Sequence, residues 1–244
     1  MNPWDRLSSL FTGETSVDGI PEGAADNVLI AWPPVIEVIR TAFGVTRGLR
    51  ILDFGCGSGD FCRKLASMGN VVTGCDPSAK MLEAARARTE GTVTLLDSNQ
   101  LLTDKTIYDA VTAIMVFQFI EDIEGTVRDL LARLRPGGVL VTAVFNPPFV
   151  TNLLRAKNMF RDFDSVECPK KGVMELVKGT SVPVFIRSAE EYAKMMRSAS
   201  CREICRMMPP FNPSFLERCP VGFAVEDSEF LIQGFLAQSH PHNH

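Results

Sequence analysis

Residues 51–60 read ILDFGCGSGD, an apolar strand that ends in an acid and runs into three glycines at alternate positions. The chain must leave a strand and enter a helix there within a few residues, and glycine adopts the required backbone angles at low cost. Glycines also allow a ligand to lie directly on the backbone. The pattern therefore predicts a strand, a tight turn and a helix that together form a ligand platform, with a purely structural turn as the alternative.

Two phosphate-binding motifs are close to this stretch, and neither fits. The dinucleotide fingerprint GxGxxG needs a glycine where Asp60 stands, and a carboxylate in the first turn of the helix repels a pyrophosphate. The P-loop pattern needs GK[ST], which does not follow. The stretch favours a ligand without phosphate groups.

Strands and helices alternate from residue 49 onward. The predicted strands are LRILDF, NVVTGCD, TVTLLD, YDAVTAIMVFQFI, GVLVTAVFN, CREICRMM and SEFLIQGFLAQ. The predicted helices are DFCRKLASMG, PSAKMLEAARART, IEGTVRDLLARLRPGG and SAEEYAKMMRSA, the last with Ser188 and Glu191 at capping-box spacing. This alternation predicts an α/β fold with a parallel sheet, and ligands in such folds bind at the carboxyl ends of the strands.

Acids also end the second and third predicted strands. Asp76 suits the two hydroxyls of a ribose, because its two oxygens can each accept a charge-assisted hydrogen bond. Asp97 and Ser98 suit the exocyclic amine of an adenine. A solvated loop acid is the alternative at each position. Together with the glycines, these strand ends predict a site for a nucleoside.

The motifs together resemble the class I S-adenosylmethionine-dependent methyltransferases, and within them the small-molecule branch. The resemblance covers residues 45–146 and, more loosely, 188–236. It implies a Rossmann-like, mostly parallel sheet of seven strands with the last strand antiparallel, helices on both faces and an inserted cap. It also implies S-adenosyl-L-methionine as the cofactor. The implied cofactor-binding residues are Asp53, Gly55, Cys56, Gly57, Gly59, Asp76, Pro77, Met81, Asp97, Ser98, Met115 and Val116.

The resemblance also assigns roles within that set. Asp53 and the glycines would line the methionine and ribose part, Met81 would pack on the adenine, and the residues after the fourth strand would border the methyl group. The family's frequent tyrosine in the amino-terminal helix is missing here, and Trp32 or Phe11 are the candidate replacements.

Four residues are candidates for binding the methyl acceptor: Phe119, Asn146, Arg161 and Arg187. The two arginines would select an anionic substrate. The NPPF at residues 146–149 is similar to the NPPY signature of nucleic-acid amino-group methyltransferases, but that signature belongs after the fourth strand. No catalytic residue is assigned, and the candidates for a general base are Glu121, Asp122, Tyr108 and Tyr192.

The domain organisation follows from where the alternation lapses. Residues 1–44 form an amino-terminal arm and lid helices, in which 1–24 are flexible and 25–43 are split into two helices by Trp32, Pro33 and Pro34. Residues 45–146 and 186–237 form the core, 147–185 a substrate cap with a helix and a hairpin, and 238–244 a disordered tail.

Composition limits the partners. The net charge of −4 and the scattered basic residues argue against nucleic acid. No stretch has the length of a membrane span or the form of a secretory signal, so we expect a cytoplasmic protein without membrane contact. The seven cysteines form no CxxC pair and the three histidines lie in the last five residues, so no metal is expected.

Three hypotheses for function follow. The first is methyl transfer from S-adenosylmethionine to an oxygen or nitrogen of a small metabolite, by a monomer or homodimer; the metabolite would be anionic if the cap arginines face the site. The second is an enzyme of the same fold that cyclises S-adenosylmethionine itself and releases methylthioadenosine. The third is a binding module without catalysis.

Overall fold

A computed structural model describes residues 2–12, 24–156, 159–177, 179–218 and 228–238. Its strands are β1 (Arg50–Phe54), β2 (Val71–Cys75), β3 (Thr94–Leu96), β4 (Tyr108–Ile114), β5 (Leu134–Phe145), β6 (Phe160–Arg161), β7 (Lys171–Val177), β8 (Thr180–Phe185), β9 (Cys201–Met207) and β10 (Phe230–Ala237). Its α-helices are α1 (Pro3–Thr12), α2 (Trp32–Phe43), α3 (Asp60–Ser67), α4 (Ala79–Thr89), α5 (Ser98–Thr103), α6 (Ile123–Leu131), α7 (Pro147–Arg155), α8 (Ala189–Ser198) and α9 (Pro213–Arg218). The tail predicted to be disordered lies, beyond residue 238, outside the described residues.

The main sheet has seven strands in the order β3-β2-β1-β4-β5-β10-β9. Strands β1 to β5 pair in parallel, whereas β10 pairs antiparallel with β5 and with β9. The predicted Rossmann-like sheet with an antiparallel last strand is therefore confirmed. This order brings the carboxyl ends of β3, β2, β1, β4 and β5 to one edge.

Each face of the sheet is covered by helices because successive side chains of a strand point to opposite sides. Ile51 packs into one apolar cluster with residues of α2 and α3, and Leu52 packs into the other with residues of α6 and α8. Among the described residues, no helix has the length and apolar character needed to cross a bilayer.

The amino-terminal segment differs from the flexible arm predicted for residues 1–24. Residues Pro3–Thr12 form helix α1, which begins with Pro3 and contacts α4 and β8. Proline is favoured in the first turn because its missing N–H has no partner there in any case. Trp4 and Leu7 lie three residues apart and so share a face of this helix, and Leu7 is fully buried. After the break in the described chain, the predicted split of residues 25–43 into two helices was wrong. A π-helical turn at Asn27–Ala31 runs directly into α2 at Trp32, and both Ala31 and Trp32 have right-handed helical backbone angles.

Two predicted elements were wrong in their extent. The fourth strand ends at Ile114, because Met115 has the left-handed backbone angle φ 57° and the chain then makes a 3-10 turn at Phe117–Phe119. The helix predicted to run to Pro136 ends at Leu131, because β5 already starts at Leu134, where it pairs with β4.

The segment predicted as a cap contains helix α7 and a three-stranded antiparallel sheet in the order β6-β7-β8. This includes the expected helix and hairpin. Its buried side chains, among them Phe149, Phe160 and Val184, belong to the same apolar cluster as Phe145 at the end of β5. The segment is thus packed on the edge of the main sheet where β5 ends.

Candidate functional site

The glycine loop connects β1 to α3 directly beside the end of β2. Gly55, Gly57 and Gly59 all have positive φ, at 76°, 52° and 78°. The backbone N–H groups of Gly55 and Cys56 both donate to the carbonyl oxygen of Cys75, at 2.7 and 2.9 Å. The loop is therefore a tight turn, as the sequence predicts, and among its three glycines the Cβ position of Gly57 is clear of described atoms, whereas those of Gly55 and Gly59 meet Val116 and Ala85.

Asp76 follows β2 and is linked to this loop. Its Oδ2 accepts a hydrogen bond from the Gly57 N–H at 3.0 Å, and its Oδ1 accepts one from the Ser78 N–H at 2.9 Å. Burial raises the pKa of Asp76, while the two backbone donors oppose that rise. Each carboxylate oxygen has a second lone pair for a ligand hydroxyl. The predicted ribose acceptor thus lies against the glycine loop.

Asp53 lies inside the protein, at the end of β1. Its Oδ1 accepts a hydrogen bond from Thr112 Oγ1 at 2.7 Å, and its Oδ2 accepts one from Cys62 Sγ at 3.3 Å. Burial raises the pKa of Asp53 from 3.8 to about 6, against the opposing effect of these two donors. The Asp53 side chain thereby links the end of β1, which leads into the glycine loop, to Thr112 of β4 and Cys62 of α3.

We expect Asp53→Asn to change how stability depends on pH. Between about pH 4 and pH 6 the folded protein keeps a proton on Asp53 that the unfolded chain has released. The stability from this group is therefore complete below about pH 4 and is lost as the pH rises through about 6. Since one pKa unit corresponds to about 1.4 kcal/mol, the loss is about 3 kcal/mol. In urea unfolding, the free energy of the variant relative to wild type should rise by about 3 kcal/mol between about pH 4 and pH 7.

The control for this measurement is Asp129→Asn, which removes an exposed carboxylate on α6. Its unfolding free energy should follow the wild-type pH profile. If Asp53→Asn also follows that profile, the pKa of Asp53 is not raised in the folded protein.

The adenine-side candidates lie at the starts of α4 and α5. Asp97 caps α5, where its Oδ1 accepts a hydrogen bond from the Gln100 N–H at 2.9 Å, and it is exposed together with Ser98. Met81 is buried in the first turn of α4, and its N–H donates to Ser78 Oγ at 3.2 Å. The Asp76 N–H donates to the Leu96 carbonyl at 3.2 Å, so these strand ends are adjacent.

The turn after β4 brings the next candidates to the glycine loop. A Cβ placed on Gly55 would lie 2.3 Å from Val116 Cγ2, so Val116 packs directly on this glycine. Met115 donates its N–H to the Ala143 carbonyl at 2.7 Å. Arg187 donates from its guanidinium to the carbonyl oxygens of Phe117, Ile120 and Glu121 at 2.9 to 3.3 Å. Arg187 thereby holds the turn in place.

The two other acceptor-side candidates are engaged elsewhere. Asn146 is buried at the end of β5, and its Nδ2 donates to the Ser228 carbonyl at 3.0 Å. Arg161 is exposed, donates to Ser181 Oγ at 2.8 Å and lies 3.5 Å from a carboxylate oxygen of Glu175. Their roles in substrate binding stay predictions.

Helix α1 supplies site residues that the sequence did not identify. Asp5 Oδ1 accepts a hydrogen bond from Ser78 Oγ at 2.6 Å, and Asn2 Nδ2 donates to the Pro77 carbonyl at 3.1 Å. The Trp4 ring meets the Phe119 ring edge to face at 4.8 Å. The apolar spacing of α1 was the available signal, but the Gly- and Ser-rich composition obscured it.

The two aromatic residues considered for the lid have contacts near the start of α3. The Trp32 ring packs on Phe61 at 5.1 Å. The backbone carbonyl of Phe11 accepts a hydrogen bond from Arg88 Nη1 at 3.1 Å, and Arg88 also pairs with Asp60 at the start of α3. The lid role of Trp32 or Phe11 stays a prediction.

The candidates for a general base are placed as follows. Tyr108 stands at the amino end of β4 and donates to Asp104 Oδ2 at 2.8 Å, at the edge opposite the glycine loop. Tyr192 is a buried residue of α8, Asp122 caps α6, and Glu121 pairs with Lys171 at 2.6 Å. Across the described ranges, no group of three or more His, Cys, Asp or Glu side chains could hold a metal ion.

Comparisons with known proteins agree with this geometry. A family model described as a methyltransferase domain matches residues 52–140. The chain is 38% identical over 104 residues to a ubiquinone biosynthesis O-methyltransferase of Methylocella silvestris, covering 41% of each chain. It is 36% identical over 109 residues to a demethylmenaquinone methyltransferase of Tropheryma whipplei, covering 43% of this chain and 45% of that one. The match thus spans less than half the length of these curated relatives.

Solved structures resemble a larger share of the chain. An S-adenosylmethionine-dependent methyltransferase from Mesorhizobium loti has a TM-score of 0.64 at 21% identity, covering 88% of this chain and 99% of that one. The magnesium protoporphyrin IX methyltransferase of Synechocystis with bound SAH has a TM-score of 0.63 at 17% identity, covering 96% and 94%. At these identities the likeness establishes the shared fold.

Proposed function

We propose a function from one premise: this chain carries a domain of the class I S-adenosylmethionine-dependent methyltransferase family. We propose that it transfers the methyl group of S-adenosylmethionine to an oxygen or nitrogen of a small metabolite. The observation that carries the proposal is the buried Asp76 carboxylate, bonded to the Gly57 N–H within the glycine loop. A ribose bound there would donate both hydroxyls to this carboxylate.

The surrounding residues fit the rest of the cofactor. The glycine loop, with Cys56 and the supporting Asp53, leaves a backbone surface for the methionine and ribose part. Met81 and Pro77 offer an apolar contact for the adenine, and Asp97 with Ser98 offers polar groups for its amine. Met115 and Val116, on the turn packed against Gly55, would border the methyl group.

The chain's part in the reaction is alignment and exclusion of water. When bound, S-adenosylmethionine would supply an activated methyl group, to which an acceptor lone pair would bond as the carbon–sulfur bond breaks, and the acceptor proton would leave to the bulk solvent. Trp4 and Phe119 shield the edge of the site, and Arg187 fixes the turn that carries Phe119. A positioned acceptor needs no nucleophile from the protein.

We propose that residues 147–185 serve as the substrate cap. They pack where β5 ends, next to the turn after β4, and β8 contacts that turn directly. Arg187 is engaged with three backbone carbonyls and Arg161 with Ser181 and Glu175, so neither adds support for an anionic acceptor.

The experiment is product analysis with S-adenosylmethionine carrying a labelled methyl group, and a panel of phenols, amines and carboxylates. We expect S-adenosylhomocysteine and a labelled acceptor to form in equal amounts. Methylthioadenosine formed without any acceptor would instead support cyclisation. Tight binding of S-adenosylhomocysteine without turnover on the whole panel would favour a binding module.

A further inference from the structure

Gln118 is a buried polar side chain whose hydrogen-bonding groups are poorly satisfied. It lies in the turn after β4 with 1% of its surface exposed. Among the described residues its Nε2 donates to the thioether sulfur of Met115, at 3.4 Å, and sulfur is a weak acceptor. Its Oε1 has no hydrogen-bond partner within the described part of the chain.

An unpaired buried carbonyl oxygen lowers stability, and folded proteins keep few of them. An apolar side chain of similar length would avoid this cost. The same turn holds Met115 at φ 57°, a left-handed angle that is unfavourable for a residue other than glycine. An unpaired buried amide oxygen and an unfavourable backbone angle in one short turn are typical of a functional site, where residues that bind a ligand lower the stability of the fold.

The residues around Gln118 indicate which kind of ligand could reach this turn. Met115, whose sulfur accepts from the amide, packs against the apolar cluster that contains Phe145 and Phe149, and so does Phe119. Val116 of the same turn contacts Gly55 of the glycine loop. The turn that carries Gln118 therefore lies between the proposed cofactor loop and an apolar, aromatic region under the cap.

We propose that Gln118 binds the methyl acceptor, with its Oε1 accepting a hydrogen bond from an uncharged hydroxyl on an aromatic ring. This inference deepens the proposed methyltransferase function and rests on it. A carboxylate has no hydrogen to donate and would face the lone pairs of the amide oxygen, whereas a phenol donates one hydrogen and fits the aromatic surroundings. Gln118 orients the acceptor and takes up no proton, since an amide is not a base at neutral pH.

The binding test uses calorimetry on protein saturated with S-adenosylhomocysteine, with 4-methylcatechol and its dimethyl ether as probes. The ether keeps the ring and loses both donors. We expect the wild type to bind the catechol about 10-fold more tightly than the ether, and Gln118→Met to bind the two within about 3-fold. The affinity for S-adenosylhomocysteine should be the same in both proteins.

Stability provides a second readout that needs no ligand. Gln118→Met replaces an unsatisfied amide with an apolar chain of similar length, so we expect the Tm of the ligand-free protein to rise by about 3 °C. Gln233→Met is the matched control: Gln233 is also buried with an unpaired Oε1, but its Nε2 donates to the Ala189 carbonyl at 3.0 Å and to Glu203 at 2.9 Å. This control should lower the Tm and keep the catechol preference.

Each remaining outcome counts against the proposal. It is overturned if the wild type does not prefer the catechol, if Gln118→Met keeps the preference, or if that variant melts below the wild type. Failure of the wild type to bind S-adenosylhomocysteine would instead refute the methyltransferase proposal itself. That binding is measured separately, before the catechol and the ether are added.

Discussion

Replacing Asp76 with asparagine is expected to weaken the binding of S-adenosylhomocysteine about 100-fold. The carboxylate would accept both ribose hydroxyls, and charge-assisted hydrogen bonds contribute about 1.5–3 kcal/mol each. Asparagine keeps the size of the side chain but has one accepting oxygen and no charge. One lost bond and one weakened bond therefore amount to about 3 kcal/mol. Calorimetry on the purified variant measures the change directly.

Structural damage must be separated from lost recognition, because Asp76 also holds the N–H groups of Gly57 and Ser78. The thermal unfolding of Asp76→Asn should remain cooperative. Asp129→Asn removes one negative charge from an exposed position on α6 and should bind as the wild type does. A dissociation constant for Asp76→Asn within about 3-fold of wild type would show that this carboxylate does not hold the ligand.

The acids at the carboxyl edge of the sheet could be predicted because the sequence patterns that mark them are local. Apolar runs mark the strands, and Asp53, Asp76 and Asp97 stand at or directly after their ends. Parallel pairing of β1, β2 and β3 then brings these positions together. The glycine loop was predictable for the same reason, since alternate glycines between a strand and a helix demand a tight turn.

The lid and the turn after β4 could not be predicted because their contacts join distant parts of the chain. Asp5 and Ser78 are bonded although 73 residues separate them in sequence. Arg187 resembles a substrate-binding cation in the sequence, but its guanidinium binds three backbone carbonyls. Gln118 is preceded by an apolar run that continues from β4, so the pattern alone extends the strand through it.

We expect Gly55→Ala to lower the free energy of unfolding by about 2–5 kcal/mol. Alanine at φ 76° incurs about 1–2 kcal/mol of backbone strain. Its Cβ would also lie 2.3 Å from Cγ2 and 3.1 Å from Cγ1 of Val116, a β-branched side chain that cannot rotate away freely. Overpacking of this kind costs about 1–3 kcal/mol. Urea unfolding with an unchanged m-value would measure the sum.

Two further variants separate strain from collision. Gly57 has φ 52°, and a Cβ there would meet no atom of the described residues within 4 Å, so Gly57→Ala should cost only the backbone strain of about 1–2 kcal/mol. In the double variant Gly55→Ala with Val116→Ala the colliding methyl groups are gone, and the nearest remaining atom, the Cβ of residue 116, lies at 3.3 Å. A double-mutant cycle should therefore return about 1–2 kcal/mol of coupling. If Gly55→Ala and Gly57→Ala lower the free energy of unfolding equally, Val116 does not pack tightly on Gly55. The proposed contact between the cofactor loop and the turn on the acceptor side would then be contradicted.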